Sequence, residues 1–367
     1  MNIKCTGCGA TIQTDDVDKK GYIDPNVLKK HKESFYCKRC FDLKHYNKDT
    51  KINVSLSDYI ANLEKIKKDN GLIVYIVDAF DLEGTLSNNI NKIFKSENIL
   101  LVLNKVDLYI NSINSNKIIT YVRKHIKEKN IKVKDMLIMS AFNNQDIEKL
   151  YDKIIELHGN RNIYFVGMTN VGKSTIINKI IEKYTGEEDI ITVSNTLNTT
   201  LDNIYIPLNN KNYIIDTPGL IDRNNLIYFV DKKTLEFITP KKYVKPKTFQ
   251  LNPGQSLFIQ GFVRINFIEG ERSSFIGHFA NNVLIHRTKL ENANKFYDEH
   301  KFDVLIYPTA DEISKLGKIV TKKVKINKDA KIDIAISGLG FLTVSGNCYL
   351  EVEYFNNVRV ITRKAMI

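Results

Sequence analysis

The sequence predicts a three-part architecture whose central part is an α/β domain with a parallel sheet. Three observations predict it: two Cys-x-x-Cys pairs near the start, alternating apolar runs and amphipathic helical segments in the middle, and period-two apolar runs towards the end. We expect a cysteine-rich segment at 1–48, the α/β domain at 49–222 and a β-rich C-terminal domain at 223–367. The 367 residues, 43% of them hydrophobic, suffice to bury the cores of two or three domains.

Composition excludes some classes of protein. No window holds the ~20 predominantly apolar residues that a membrane-spanning helix needs. The first thirty residues contain four aspartates and no apolar signal core, so we expect a cytoplasmic protein with no membrane partner. The formal net charge of +12 is weak evidence for a nucleic-acid partner, because an abundance of Lys, Asn and Ile can reflect the composition of the genome.

The cysteine pattern indicates a metal site. Four of the five cysteines form the two pairs: Cys5, Cys8, Cys37 and Cys40. Each pair can place two thiolates on one tight turn, and two such turns complete a tetrahedral zinc site. Two disulfides are the alternative, but a chain without a signal peptide is expected in a reducing compartment. We therefore expect a structural Zn²⁺ whose binding supplies folding free energy to this short segment.

The middle of the chain alternates predicted strands and helices. We expect strands at 71–81, 98–107, 135–141, 162–167, 201–208 and 211–219, and helices at 115–130, 146–159 and from Lys173 onwards. Such alternation predicts a parallel sheet with helices on both faces, whose ligands gather at the carboxyl ends of the strands.

A phosphate-binding loop is the strongest single motif. Residues 167–174 read GMTNVGKS, follow a predicted strand and open a predicted helix. Glycines let consecutive backbone N–H groups face the phosphates, and we expect Lys173 to contact the β- and γ-phosphates while the Ser174 hydroxyl binds Mg²⁺. The nucleotide-binding residues expected here are Gly167, Thr169, Asn170, Val171, Gly172, Lys173, Ser174 and Thr175.

A second phosphate-side motif follows the loop. Residues 214–219 read IIDTPG, and we expect Asp216 to hold the magnesium and the Gly219 amide to contact the γ-phosphate. Thr199 and Thr200 lie between the two motifs and are candidate switch threonines, with Thr200 expected at the magnesium.

A guanine-reading motif precedes both. The tetrapeptide NKVD supplies Asn104, Lys105 and Asp107 at the end of an apolar run. A carboxylate at 107 can accept both the N1 hydrogen and the exocyclic amine of guanine, whereas adenine has no amine there and presents an acceptor at N1. The next predicted strand ends in Ser140 and Ala141, which we expect to contact the base.

The order of the motifs indicates a circular permutation, because in ordinary GTPases the guanine motif follows the phosphate loop. Chain termini often lie close together at a domain surface, so a fold can survive such rejoining. This order, behind CTGCGA and YCKRC, closely resembles the YqeH family of circularly permuted GTPases. One departure is LNTT at 197–200, where relatives have Pro-Gly before the two threonines. The resemblance implies a GTPase that acts in assembly of the small (30S) ribosomal subunit, with rRNA or a ribosomal protein as partner.

Two positions bear on the rate of hydrolysis. Leu220 stands where many GTPases carry a water-orienting Gln, so we expect slow intrinsic turnover. Asn170 matches the Asn of potassium-activated GTPases that the family resembles, and two interpretations stay open: it helps to bind K⁺, or it only stabilises the loop. The residues expected to act in catalysis are Asn170, Lys173, Thr200 and Gly219.

The C-terminal region has its own character. Residues 226–367 contain 22 Lys/Arg against 14 Asp/Glu, an excess of 22 − 14 = 8, and several apolar runs alternate with period two. Basic residues among aromatics can bind RNA, although a solvated lysine surface over a β core is the alternative, and the family resemblance favours RNA. A nucleotide-sensing RNA-binding regulator not tied to ribosomes is the alternative function. Because only residues 223–230 separate DTPG from this region, we expect changes at Gly219–Leu220 to reorient it.

Overall fold

The protein is described by a computed structural model, and it divides into two compact units. The described residues are 3, 5, 11–16, 21–28, 37–38, 66–86, 90–109, 115–185, 204–208, 212–217 and 223–366. The first unit comprises Met1–Val77, Asn89–Lys105 and Ile131–Ile221, and the second comprises Asp78–Asn88, Val106–Asn130 and Asp222–Ile367. The boundaries after residues 48 and 222 stay predictions. Two stretches of the α/β half, Asp78–Asn88 and Val106–Asn130, belong to the same unit as the C-terminal residues.

The α/β half carries a six-stranded sheet. Its strands are β1 (Leu72–Asp78), β2 (Ile99–Asn104), β3 (Asp135–Ile138), β4 (Ile163–Gly167), β5 (Ile204–Pro207) and β6 (Tyr213–Asp216), in the order β3-β2-β1-β4-β6-β5. The pairs β2/β3, β1/β4 and β4/β6 are parallel, and β5 runs antiparallel to β6. Every residue of β1, β2 and β4 is buried, as continuous apolar runs in a parallel sheet require. The predicted parallel sheet is confirmed.

The strand order is the one that the predicted permutation requires. β1 and β4 are neighbours, paired from Leu72 with Ile163 to Ile76 with Gly167. A chain that started at β4 and continued through β5, β6, β1, β2 and β3 could build the same sheet. Its motifs would then run from the phosphate loop through DTPG to the guanine motif.

Nine α-helices begin and end within the residues that the structure describes. They are α1 (Pro25–Leu28), α2 (Leu82–Thr85), α3 (Ile90–Ile93), α4 (Ser115–Glu128), α5 (Asn144–His158), α6 (Lys173–Thr185), α7 (Lys232–Ile238), α8 (Ala293–His300) and α9 (Ala310–Leu316). The three helices predicted in the α/β domain are present as α4, α5 and α6. Helix α5 begins at the Asn143 side chain, which accepts hydrogen bonds from the next turn, and ends at Gly159 in the left-handed conformation. None of the described helices is long and apolar enough to span a membrane.

The C-terminal region is β-rich, as predicted. One antiparallel sheet has the order β16-β13-β14-β10-β7 and the other β11-β8-β9-β15-β12. The strands are β7 (Lys247–Leu251), β8 (Gln255–Ile259), β9 (Val263–Gly270), β10 (Ser273–Phe279), β11 (Ile285–Lys289), β12 (Ile319–Ile326), β13 (Lys331–Ile336), β14 (Gly340–Ser345), β15 (Cys348–Phe355) and β16 (Val360–Lys364). Both sheets contribute to one hydrophobic core, in which the rings of Phe267 and Phe275 lie 5.7 Å apart.

One apolar run of the C-terminal region is not a strand. Residues 302–308 form a loop between α8 and α9, although their composition resembles that of the strands. The loop pairs with other loops instead: the Gly261 N–H donates to the Tyr307 carbonyl at 2.7 Å. Composition alone did not distinguish the two cases.

Candidate nucleotide-binding site

The phosphate loop joins β4 to α6, and its two glycines are required by close approaches. A Cβ on Gly167 would lie 2.4 Å from the Ile76 carbonyl oxygen of β1, far inside van der Waals contact. Gly172 has φ +94°, a backbone conformation that side chains disfavour. The loop therefore packs against the neighbouring strand before it enters the helix, with its backbone shaped by these two positions.

Asn104 ties the loop to two other segments. Its Nδ2 donates to the Val171 carbonyl at 2.8 Å, and its Oδ1 accepts from the Ala141 N–H at 3.0 Å. The side chain is buried, so both bonds are shielded from water. A Cβ on Gly172 would lie 2.4 Å from this Nδ2. The guanine-motif strand, the phosphate loop and the Ser-Ala turn thus meet at one amide, a positioning role that the motif alone did not suggest.

A buried carboxylate and a hydroxyl lie together beside the loop. Ser174 Oγ donates to Asp216 Oδ2 at 3.3 Å, and Asp216 Oδ1 has no hydrogen-bond partner among the described residues. Burial raises the pKa of Asp216 to about 6, although the nearby Lys173 ammonium lowers it. An unpartnered buried oxygen beside a hydroxyl fits a hard divalent cation such as Mg²⁺. Ser174 and Asp216 would hold it.

Lys173 is buried at the start of α6. Its Nζ donates to the Gly167 carbonyl at a long 3.4 Å, so the ammonium has one weak partner there. Burial lowers its pKa, and the carboxylate of Asp216 opposes this shift. A buried ammonium at a helix N-terminus is a strong attractor for phosphate oxygens. Lysine and a bound magnesium could together neutralise the charge of a triphosphate.

Two residues of the site have left-handed backbone. Lys105 has φ +68° and Asn170 has φ +64°. Asn is among the few residues that tolerate this conformation, so loop geometry alone is a sufficient reason for Asn170. Both interpretations of Asn170 therefore remain open.

The Ser-Ala turn is held by a carboxylate that sequence reasoning missed. The Ser140 N–H donates to Asp146 Oδ2 at 3.0 Å, and Ser140 Oγ accepts from the Phe142 N–H at 3.2 Å. Asp146 lies in the first turn of α5, where an acidic residue is also favoured by the helix dipole. That position was the available signal.

Other predicted residues are placed as follows. Asp107 is exposed in the short 3₁₀ turn Val106–Leu108, which belongs to the second unit. Thr200 and Gly219 lie outside the described residues, as do Cys8 and Cys40. Their roles stay predictions.

The cysteine-rich segment is described in part. Cys5 and Cys37 are both buried, and the Cys37 N–H points at Cys5 Sγ at 3.2 Å. Within the described ranges no group of three or more potential metal ligands occurs. Zinc therefore stays a prediction.

Comparison with known proteins decides the family. A family model described as "YqeH-like, C-terminal" matches residues 272–366, and one described as "50S ribosome-binding GTPase" matches residues 162–243. The protein YqeH of Bacillus subtilis (strain 168) is 40% identical over 366 residues, which cover 100% of this chain and 99% of that protein. The chain belongs to the YqeH family. The resemblance drawn from the motif order is thus confirmed.

More distant similarities are also found. "NO-associated protein 1, chloroplastic/mitochondrial" of Arabidopsis thaliana is 25% identical over 389 residues, 93% of this chain and 69% of that protein. The crystal structure of YjeQ from Thermotoga maritima is 21% identical, with a TM-score of 0.27, over 42% of this chain and 51% of that one. As a member of the YqeH family the chain carries a GTPase domain, whose ligands are GTP, GDP and Mg²⁺.

Proposed function

We propose that the protein is a GTP-hydrolysing assembly factor for the small (30S) ribosomal subunit, whose nucleotide state controls its hold on rRNA or a ribosomal protein. The observation that carries the enzymatic half is the buried group at the phosphate loop, where Lys173 lies with Ser174 and Asp216. Membership of the YqeH family supports the ribosomal half. A cytoplasmic location is part of the proposal.

The residues divide the reaction among them. The loop amides and Lys173 would hold the β- and γ-phosphates, and Ser174 and Asp216 would hold a magnesium ion, which would supply positive charge where negative charge develops. We assign Thr200 to the same magnesium and the Gly219 amide to the γ-phosphate. Water then attacks in line with the departing diphosphate.

Slow intrinsic turnover is part of this proposal. Leu220 has no hydrogen-bonding group with which to orient the attacking water, so the site lacks a common water-positioning side chain. We propose that a ribosomal partner, or K⁺ beside Asn170, raises the rate. GTP and GDP should bind far more tightly than ATP because of Asp107, and calorimetry with the three nucleotides tests this.

We also propose Zn²⁺ on the four cysteines. The N–H directed at Cys5 Sγ is the kind of contact that stabilises a thiolate in a two-turn zinc site. Cys8 and Cys40 would complete the ligand set. Metal analysis of the purified protein should give one zinc per chain, and Cys37→Ser should remove it.

A cavity in the C-terminal region supports an RNA partner. It has a volume of about 160 Å³, and its walls include Phe258, Tyr297 and Tyr354 beside the ion pair of Arg264 and Glu353, 2.5 Å apart. The Arg264 guanidinium lies 5.7 Å from the centre of the Phe258 ring, and its buried Nε has no partner among the described residues. Aromatic faces with a donor and an acceptor at one edge suit an unstacked RNA base.

Sedimentation of cell lysate tests the function. The tagged protein is loaded with GDP or with a non-hydrolysable GTP analogue and run through a sucrose gradient. Comigration with 30S particles that depends on the analogue supports the proposal, and comigration with 50S particles would move the partner to the large subunit. Binding to RNA without either particle would favour the regulator not tied to ribosomes.

A further inference from the structure

The turn that carries Asp107 is held by residues from the C-terminal region. The Val244 N–H donates to the Leu108 carbonyl, the residue after Asp107, at 2.8 Å. Both Val244 and Leu108 are buried. The next residue, Tyr109, donates from its hydroxyl to the Ala79 carbonyl at 2.9 Å. The turn therefore cannot shift without breaking shielded hydrogen bonds.

The segment after β1 is held by the same region. Asp81 Oδ2 accepts hydrogen bonds from Asn225 Nδ2 at 3.0 Å and from the Gly338 N–H at 2.9 Å, while Oδ1 accepts from the Gly84 N–H at 3.1 Å. Next to it, Phe80 contacts the Tyr109 ring at 5.8 Å. The two stretches of the second unit that come from the α/β half thus support each other.

A buried charge cluster fixes helix α4. This helix follows the turn Val106–Leu108 that carries Asp107, called here the guanine turn. Glu83 lies 2.9 Å from His125 Nε2 and 2.8 Å from Lys129 Nζ, and its side chain is only 3% exposed. The Arg363 guanidinium of β16 lies 5.7 Å from the centre of the Tyr121 ring of α4 and 5.2 Å from that of Phe341. The Arg363 side chain of the final strand thus packs on the Tyr121 ring of α4 and on the Phe341 ring of β14.

We propose that the C-terminal region sets guanine selectivity by positioning Asp107, with the Val244 N–H as the positioning group. A carboxylate discriminates between bases only if it meets both the N1 hydrogen and the exocyclic amine, which demands a fixed turn. The Asp107 side chain is exposed, so the position of its backbone is fixed by the hydrogen bonds of the next two residues, Leu108 and Tyr109.

We expect the contact between Val244 and Leu108 to respond to the binding of a guanine nucleotide and not to its hydrolysis. GDP and GTP carry the same base, so both should tighten the contact between Val244 and Leu108 equally. By linkage, the factor by which guanine nucleotide binding stabilises this contact equals the factor by which the formed contact strengthens nucleotide binding. The proposal rests on the proposed function only in taking Asp107 as the guanine reader.

The experiment compares two nucleotides that differ by one amine. Inosine diphosphate lacks the exocyclic amine, so the ratio of its dissociation constant to that of GDP measures how well Asp107 is placed. Val244→Pro removes the N–H while keeping an apolar residue. We expect it to reduce the ratio by about tenfold, the usual scale of a hydrogen bond to a charged group. Lys242→Pro, in the same loop, removes an N–H without a partner among the described residues and should leave the ratio unchanged.

Hydrogen exchange on the unaltered protein is the second measurement. The peptide containing Val244 should exchange more slowly with GDP than without nucleotide, and equally slowly with a GTP analogue. With inosine diphosphate it should exchange faster than with GDP. This readout does not depend on the folding of a proline variant.

The outcomes separate the two proposals. An unchanged ratio in folded Val244→Pro, or no protection at Val244 on GDP binding, overturns the positioning role while guanine binding stands. If GDP binds no better than ADP, the guanine reader itself is wrong and both proposals fall.

Discussion

The phosphate loop and the guanine turn are held in different ways. The loop is fixed inside the α/β sheet, by the close approach of Gly167 to β1 and by the bond from Asn104 to Val171. The guanine turn is fixed by Val244, which comes much later in the chain. Under the proposed roles, phosphate binding is therefore local to the sheet, whereas base reading would depend on a distant part of the chain. Variants that affect one half and spare the other test this contrast.

The largest expected effect lies on the guanine side. Glu83→Ala leaves the side chains of Arg363 and His125, 6% and 10% exposed, without the carboxylate that they face, and removal of one partner of a buried ion pair costs about 3–5 kcal/mol of the free energy of unfolding. Urea denaturation measures this loss. Glu128→Ala, on an exposed pair of α4, should change the free energy of unfolding by less than about 0.5 kcal/mol.

The same carboxylate predicts a pH dependence. Burial raises the pKa of Glu83, but His125 and Lys129 outweigh it and hold the pKa at about 2, against an ordinary 4.5. A depressed pKa means that the stabilisation is complete above pH 4.5 and is lost as the pH falls through 2, by about 3 kcal/mol in all. Glu83→Gln should flatten the pH dependence of unfolding in this window. An equally steep dependence in the variant would show that other groups are responsible.

On the phosphate side, Lys173→Ala should lower single-turnover GTP hydrolysis by about 10²–10³. The reason is the loss of the buried ammonium from the phosphates. Lys179→Ala, further along α6 in an exposed pair with Glu182, is the matched control. The free energy of unfolding of the second unit should stay unchanged, and a large change there would break the contrast between the two regions.

Asp107→Asn should change the base and not the phosphates. The amide fits the carbonyl that xanthine has where guanine has its amine, so we expect GTP affinity to fall about 100-fold and xanthosine triphosphate affinity to rise. Calorimetry with both nucleotides measures this. Asp135→Asn, whose carboxylate pairs with Lys153 at 2.8 Å, serves as control. Equal loss for both nucleotides would mean that Asp107 supports the fold rather than reads the base.

The smallest effect distinguishes the two interpretations of Asn170. Asn170→Gly keeps the left-handed backbone at φ +64° and removes only the side chain. If the side chain helps to bind K⁺, the variant should lose a roughly tenfold advantage of potassium over sodium at matched ionic strength. If only the backbone matters, wild type and variant should hydrolyse GTP at equal rates in both salts.

Local patterns predicted what local forces build. The fully buried strands β1, β2 and β4 and the start of α6 at Lys173 follow from apolar runs and a glycine loop. The contacts of Asn104 and Arg363 could not be predicted, because they join residues far apart in the chain and leave no periodic signal. Residues 302–308 show the converse, a local pattern overruled by loop contacts.

The short connection after DTPG differs from a free tether. The Leu226 N–H donates to the Ser337 carbonyl at 3.0 Å, and the Arg359 N–H donates to the Asn224 carbonyl at 2.8 Å. Residues 223–230 are thus packed within the second unit. The proposed reorientation by the γ-phosphate would have to act on residues before 223, which is where a flexible insert should be placed to test it.

The order of the motifs along the chain also has a consequence during synthesis of the protein. Synthesis delivers β1, β2 and the guanine turn first, the phosphate loop next, and Val244 and Arg363 only with the C-terminal strands. A nascent chain that has completed β6 already contains the whole six-stranded sheet and the Tyr109–Ala79 hydrogen bond, but it still lacks Val244, which holds Leu108. Domains fold largely in the order in which they emerge. Such a chain would therefore be able to bind phosphates before it prefers guanine. Its full base selectivity would be reached only when the C-terminal strands are in place.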